Sequence, residues 1–96
     1  MDQAMPPTRR GKSWPPAARR VTIFTSQHCP ACRRVSAELI AVCRRGGLEP
    51  EVLDVIAHLE AAAQFGVSQP PAVVINGRLL AQGARAPHRL RGVLTP

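Results

Sequence analysis

Residues 21–32 carry the sequence VTIFTSQHCPAC, in which a strand pattern is followed closely by the start of a helix pattern. Val21 to Phe24 form a β-branched and aromatic run that is typical of a β-strand. From Pro30 to Cys43 apolar side chains recur at spacings of three and four residues, which predicts a helix that ends at Gly46-Gly47. The two cysteines of the quoted stretch therefore lie where a strand gives way to a helix.

These two cysteines, Cys29 and Cys32, have the spacing and the placement of a redox pair. We expect Cys29 at the N-cap of the helix and Pro30 at its first position. In that geometry the backbone N–H groups of Ala31 and Cys32 point towards the sulfur of Cys29. The positive end of the helix dipole acts in the same direction, and both effects lower the pKa of a thiol. We predict that Cys29 is the nucleophile, that the Ala31 amide stabilises its thiolate, and that Cys32 resolves the mixed disulfide.

A structural role and a metal-binding role are the alternatives for these cysteines. A buried structural role suits the third cysteine, Cys43, which falls on the apolar stripe of the helix, better than Cys29, which precedes the helix. Cys43 follows Cys32 by about three helical turns, roughly 16 Å along the axis, which is too far to share a metal. We predict dithiol chemistry with no metal and no cofactor. The alternative is a non-enzymatic metal-binding or adaptor module that uses the same two cysteines.

The rest of the chain contains strand and helix patterns in alternation. Ala72 to Ile75 is a fully apolar run that predicts a central strand, and the Asn76-Gly77 pair after it is a strong hairpin signal. The other predicted elements are a strand at 51–54, a helix at 57–65, a strand at 78–81 and a short last helix that starts near Pro87 and runs to Leu94. The order β-α-β-α-β-β-α predicts an α/β fold with a four-stranded mixed sheet, helices on both faces and parallel first two strands.

Positive charge is concentrated at the N-terminus. The 96 residues carry a net charge of +7, and residues 1–20 contain five basic side chains, one acid and four prolines. We interpret residues 1–20 as a disordered basic tail and residues 21–96 as one domain. No aromatic-studded strand or recognition helix accompanies the charge, so we expect no specific nucleic-acid partner.

The chain has no apolar run long enough to span a membrane. Its three cysteines are an odd number for a secreted domain stapled by disulfides, and its N-terminus does not resemble a signal peptide. We therefore expect a monomer in the reducing environment of the cytoplasm, without a membrane partner.

Residues 21–94 resemble the thioredoxin superfamily, in particular the small glutaredoxin-like thioredoxins. The resemblance is carried by the strand leading to Cys29-Pro30-Ala31-Cys32, by Gly66–Gly77 with its proline pair, and by Gly83 after the last strand. It implies a thioredoxin-like fold of the glutaredoxin type and a thiol–disulfide oxidoreductase acting in electron transport. The implied substrates are protein or low-molecular-weight disulfides, and the implied electron donor is a reductase or glutathione.

The resemblance also assigns residues to a substrate site. Pro71 takes the place of the family's cis-proline, which lies against the active-site disulfide, and Pro70 and His28 are the substrate-binding residues beside it. Because Pro70 has no N–H, it can pair with a substrate strand only through its carbonyl. His28 could also stabilise the Cys29 thiolate as a nearby cation. Arg33 is interpreted as an exposed helix residue without a role.

Two departures from the family's pattern bear on mechanism. Thioredoxins place a buried acid six residues before the first cysteine, where this chain has Ile23. Glutaredoxins follow the fourth strand with an acid that helps to hold glutathione, where this chain has Gly83-Ala84-Arg85. We therefore expect no carboxylate beneath Cys32 that could relay a proton.

Overall fold

The structure, a computed structural model, describes residues 19–94. This part of the chain forms four strands and three helices in the predicted order. The strands are β1 (Val21–Thr25), β2 (Glu51–Asp54), β3 (Ala72–Ile75) and β4 (Arg78–Gln82). The helices are α1 (Pro30–Arg45), α2 (Leu59–Phe65) and α3 (Ala86–Leu94), and a short 3-10 turn at Gly83–Arg85 precedes α3. The predicted fold class is confirmed.

The sheet has the strand order β2-β1-β3-β4, so the apolar strand β3 is central, as its sequence predicts. β1 and β2 are parallel, with Thr25 opposite Asp54, and the other two pairings are antiparallel. In the antiparallel pairing of β1 with β3, Phe24 lies opposite Ala72. The end of β1 therefore lies beside the start of β3. This register places the beginning of α1 next to the proline pair that precedes β3.

Helices cover both faces of the sheet. Side chains alternate along each strand, so Ile23 and Phe24 point to opposite faces. On one face, buried residues, mainly of the strands and of α1 and α3, form one core. Its members are Val21, Ile23, Leu39, Val42, Cys43, Leu48, Val73, Ala86 and Leu90. On the other face a smaller core packs against α2; it contains Phe24, Ala62, Ala72 and Val74. The prediction of helices on both faces is confirmed.

The hairpin between β3 and β4 forms at the predicted Asn-Gly pair. Asn76 and Gly77 have φ values of 50° and 84°, the left-handed conformation that a two-residue hairpin loop of this type requires. Asn76 is also hydrogen-bonded to Arg20, the residue before β1. The Arg20 N–H donates to the Asn76 side-chain oxygen at 2.8 Å. The Asn76 N–H in turn donates to the Arg20 carbonyl at 2.9 Å.

Two helix boundaries differ from the prediction. α2 begins at Leu59 and not at residue 57, because the Asp54 carboxylate accepts the N–H groups of Ile56 and Ala57 and holds a separate turn after β2. α3 begins at Ala86, one residue before the predicted start near Pro87, since the 3-10 turn leads directly into it.

The tail predicted over residues 1–20 lies outside the described residues, apart from Arg19 and Arg20. Among the described residues, no helix has both the length and the apolar character that crossing a membrane requires.

Candidate active site

The two cysteines of the predicted pair lie at the start of α1 with different exposures. Cys29 is the N-cap residue, with φ of −119° and ψ of 107°, and is half-buried. Cys32 lies in the first turn and is only 1 % exposed. All three cysteines of the chain are present as thiols. An incoming disulfide can therefore reach the Cys29 sulfur more readily than the Cys32 sulfur.

The first turn of α1 begins at the residues that the sequence predicts. Pro30 does occupy the predicted position at the start of the helix, but the Cys29 side chain makes no capping hydrogen bond within the described residues. The Cys32 amide, expected to point at the sulfur, donates to the Cys29 carbonyl at 3.0 Å. The N-cap carbonyl thus takes the first intrahelical bond. The role of the Ala31 amide stays a prediction.

The Cys32 thiol is held in its protonated form. Burial is the largest cause that raises the pKa of Cys32, from 9.0 to about 11. A hydrogen bond to Cys29 and the charge of Cys29 act in the same direction, and a backbone hydrogen bond from Ser26 acts in the opposite one. The Cys32 thiol also donates to the Pro70 carbonyl at 3.3 Å. Cys32 therefore stays a neutral hydrogen-bond donor when Cys29 ionises.

The proline pair lies against this thiol. The peptide bond between Pro70 and Pro71 is cis, which agrees with the position that the resemblance implies for Pro71. Pro71 is buried, and its carbonyl accepts the N–H of Gly83 at 2.8 Å. The loop before β3 is thus hydrogen-bonded to α1 through Pro70 and to the 3-10 turn after β4 through Pro71.

Gln82, at the end of β4, is a site residue that the sequence analysis misses. Its side-chain oxygen accepts two hydrogen bonds from the loop, one from the N–H of Ser68 at 2.8 Å and one from the N–H of Gln69 at 2.9 Å. The only sequence signal is a polar residue that ends the strand Arg78–Gln82. Such a residue is ordinary at a strand end, so its partners become evident only in the folded chain.

A cleft of about 750 Å³ opens on the other side of Cys29. The loop between β1 and α1 forms one wall and the first three turns of α1 form the other. The polar side chains that line it include Thr25, Ser26, His28, Arg33 and Ser36. The hydroxyl groups of Thr25 and Ser36 are 2.9 Å apart and hydrogen-bonded to each other at the base of this region. The cleft places hydroxyl groups and one guanidinium within reach of a molecule bound to Cys29.

The structure brings His28 to the cleft but leaves its predicted contact with substrate a prediction. The side chain is exposed, and the backbone N–H donates to the Ser26 hydroxyl at 3.2 Å. Pro70, the other predicted substrate-binding residue, is half-buried and uses its carbonyl for Cys32.

The remaining predictions concern Ile23, Cys43 and metal binding. Ile23, which occupies the place of the family's buried acid, is fully buried in the apolar core. Cys43 lies in the same core, where burial raises the pKa of its thiol to about 11. Within residues 19–94, no group of three or more histidine, cysteine or acidic side chains is arranged to hold a metal ion.

Comparison with known proteins identifies similar sequences. Residues 19–95 match the family model of the thioredoxin domain. The thioredoxin of Methanocaldococcus jannaschii is 34 % identical over 61 residues, which cover 60 % of this chain and 71 % of that protein.

Solved structures are similar as well. Thioredoxin from Fasciola hepatica is 27 % identical, with a TM-score of 0.63 over 80 % of this chain and 78 % of that one. Thioredoxin 1 from Thermosipho africanus has a TM-score of 0.61 over 78 % of this chain and 93 % of that one. Its identity is 19 %, so this second likeness concerns the fold alone.

Proposed function

Because the chain belongs to the thioredoxin-domain family, we propose that it is a thiol–disulfide oxidoreductase that reacts through Cys29 and Cys32. Membership of the family supports a role of this kind in general. The observation that carries the assignment of residues is the contrast between two neighbouring thiols. Cys29 is half-buried at the start of α1, whereas Cys32 is buried and has a pKa of about 11.

Disulfide reduction proceeds in two exchanges. The Cys29 thiolate attacks one sulfur of the substrate disulfide, the substrate S–S bond breaks, and a substrate thiolate leaves. Cys32 then attacks the Cys29 sulfur of the mixed disulfide, which forms the Cys29–Cys32 disulfide and releases the second substrate thiolate. The substrate gains two electrons, and the dithiol of the protein loses them.

The proton of Cys32 must leave before the second exchange. In the mixed disulfide Cys29 no longer carries a charge, so one of the causes that raise the pKa of Cys32 is removed. Ile23 beneath the site has no group that could accept the proton. The departing substrate thiolate is a base of suitable strength and is released close by. We assign it the role of proton acceptor.

The proposed substrates are protein or low-molecular-weight disulfides, and the proposed electron donor is a reductase or glutathione. We place the reaction in the cytoplasm, where thiol pairs are kept reduced. The protein is proposed to act as a monomer and without a bound metal.

Turnover of insulin disulfides with dithiothreitol as electron donor tests this function. The metal-free protein should accelerate the reaction above the rate with dithiothreitol alone, and Cys29→Ser should abolish the acceleration. Cys43→Ala is the matched control, because it also removes one thiol but leaves the pair at the start of α1 intact.

Equal turnover by the Cys29→Ser variant would contradict the assignment of the nucleophile. Absence of turnover, together with about one equivalent of copurified zinc or iron, would favour the metal-binding module that is the alternative function.

A further inference from the structure

The loop that touches the Cys32 thiol has no backbone N–H to offer a substrate. The N–H groups of Ser68 and Gln69 both donate to the side chain of Gln82. The next two residues, Pro70 and Pro71, have no N–H. Their carbonyls are also engaged, by the Cys32 thiol and by the Gly83 N–H. A substrate strand placed along this loop would meet no free N–H donor in residues 68–71. Backbone pairing between substrate and loop therefore contributes little to recognition here.

Side chains on the opposite side of Cys29 supply the donors that the loop lacks. The cleft there is about 750 Å³, within the usual size range for a small-molecule site, and Cys29 is one of its lining residues. Arg33 brings a guanidinium to it and Ser26 a hydroxyl group, and the hydroxyl groups of Thr25 and Ser36 lie there hydrogen-bonded to each other. No acidic side chain is among the lining residues that the structure describes. Arg33 therefore brings a positive charge to the cleft, and no described acidic lining residue offsets it.

Arg33 forms no ion pair with another described residue. The ion pairs among the described residues join Arg44 to Glu49 and Arg91 to Glu38, and neither includes Arg33. The Arg33 side chain is exposed and lies one turn beyond Cys29 on α1. A guanidinium binds a carboxylate through two parallel hydrogen bonds, a geometry that a single ammonium group does not provide.

We propose that this cleft selects low-molecular-weight disulfides that carry a carboxylate near the reacting sulfur, and that Arg33 binds this carboxylate. The inference rests on the proposed function and adds its substrate class. Arg33 aligns the disulfide so that one sulfur lies against Cys29, and its positive charge offsets the negative charge of the thiolate that leaves.

The exchange is balanced without a further reactant. Cys29 forms a bond to one substrate sulfur, and the substrate S–S bond breaks to release a carboxylate-bearing thiolate. Cys32 then displaces the second thiolate and closes the Cys29–Cys32 disulfide. The two electrons come from the protein dithiol, and its two protons convert the released thiolates to thiols. In an assay, dithiothreitol restores the dithiol.

Three small disulfides of different charge test the proposal on the full-length protein. These are 3,3′-dithiodipropionate, which is anionic, bis(2-hydroxyethyl) disulfide, which is neutral, and cystamine, which is cationic. We measure kcat/KM for each and divide the anionic and cationic values by the neutral one, which removes effects common to all substrates. Arg33→Gln should lower the anionic-to-neutral ratio about fivefold, the upper range for a partly exposed charge pair, and should raise the cationic-to-neutral ratio.

Arg34→Gln is the matched control. Arg34 is the neighbouring exposed arginine of α1 and does not line the cleft. Its substitution by glutamine changes the net charge of the protein by the same amount as Arg33→Gln. Its anionic-to-neutral ratio should stay within about twofold of that of the unmodified protein, as for other unpaired surface charges. Added salt should lower the anionic preference of the unmodified protein and leave that of Arg33→Gln nearly constant.

Two results would overturn the proposal while leaving the oxidoreductase function in place. One is an anionic-to-neutral ratio that is the same in the unmodified protein and in Arg33→Gln, with the neutral disulfide turned over. The other is an equal fall in Arg34→Gln, which would assign the preference to overall charge. If the protein turned over neither insulin nor any one of the three small disulfides, the proposed function itself would be rejected.

Discussion

The Cys32 thiol donates a hydrogen bond to the Pro70 carbonyl across 3.3 Å, and this bond joins the first turn of α1 to the loop before β3. It exists only while Cys32 carries a proton, because a disulfide sulfur has no hydrogen to donate. The contact therefore stabilises the dithiol form of the site relative to the disulfide form. Gln82 holds the same loop from its other side through Ser68 and Gln69.

Substitution of Cys32 by serine should trap the first intermediate. Without the second thiol, the mixed disulfide between Cys29 and a substrate has no internal route to resolution, and it accumulates. Intact-protein mass spectrometry after incubation with a small disulfide should show one substrate adduct per chain, which dithiothreitol removes. The Cys29→Ser variant, treated in the same way, should show no adduct at the site. A Cys32→Ser variant that turns over at the normal rate would contradict the two-cysteine mechanism.

Removal of the Gln82 acceptor should shift the reduction potential. Gln82→Met keeps the length of the side chain but loses the oxygen that holds the loop, so the Pro70 carbonyl becomes a less well-placed acceptor for Cys32. Since that bond favours the dithiol, its weakening should make the potential more negative by roughly 10–30 mV, equivalent to about 0.5–1.4 kcal/mol. Equilibration with defined ratios of reduced and oxidised glutathione measures this shift.

Gln82→Glu is the control for this substitution. Its carboxylate can accept both N–H groups, so the potential should stay closer to that of the unmodified protein than in Gln82→Met. Equal potentials in all three proteins would show that the loop keeps its position without Gln82.

Removal of Cys29 should make Cys32 more acidic. Burial raises the pKa of Cys32 most, and the hydrogen bond and charge of Cys29 raise it further, to about 11. In a Cys29→Ala, Cys43→Ala double variant, Cys32 is the sole thiol, and ultraviolet absorbance of the thiolate should report a midpoint below about 11. The Cys43→Ala single variant, with Cys29 and Cys32 both present, is the reference. A higher midpoint in the double variant would contradict the coupling between the two thiols.

Cys43 should make the stability of the reduced protein depend on alkaline pH. Burial raises the pKa of Cys43 from 9.0 to about 11 in the folded protein. Below pH 9 both folded and unfolded chains keep the proton. Between pH 9 and about 11 the unfolded chain loses it first, so the free energy of unfolding falls as the pH rises through this range.

The Cys43→Ala variant tests this linkage. It should lose about 1 kcal/mol near neutral pH, the cost of deleting a small buried group, and retain disulfide exchange. Above pH 9 its free energy of unfolding should decline less steeply than that of the unmodified protein, with the remaining decline due in part to Cys32. Urea unfolding in the presence of a reductant, at neutral pH and near pH 10, measures both effects. Identical slopes would show that Cys43 keeps an ordinary pKa.

Local patterns in the sequence account for most of the architecture. The β-branched and aromatic run of β1, the apolar run of β3 and the Asn76-Gly77 turn each depend on neighbouring residues, so the predicted elements agree with the observed ones. The boundary of α2 was wrong because the carboxylate of Asp54 holds a turn that propensity alone does not reveal. Helix boundaries depend on such single contacts more than helix interiors do.

The placement of the proposed reactive pair could also be predicted from the sequence. A cysteine before a helix and a second one in its first turn follow from spacing and from the position of Pro30, which the structure places at the start of α1. The inequality of the two thiols was expected as well, although its cause was assigned to amides pointing at Cys29. The structure shows a cause that acts on Cys32, whose burial raises its pKa.

The sequence alone therefore determined the order of the elements and the placement of Cys29 and Cys32 at the start of α1, because both depend on residues within a few positions of one another. The tertiary structure decided which groups surround that pair. Pro70 and Cys32 are 38 residues apart, and Gln82 and Ser68 are 14 apart. Such contacts form only after the sheet order has brought the ends of β1, β3 and β4 together. No local pattern encodes the partner of a polar side chain across that distance, so Gln82 and the cleft at Arg33 became visible only in the folded chain.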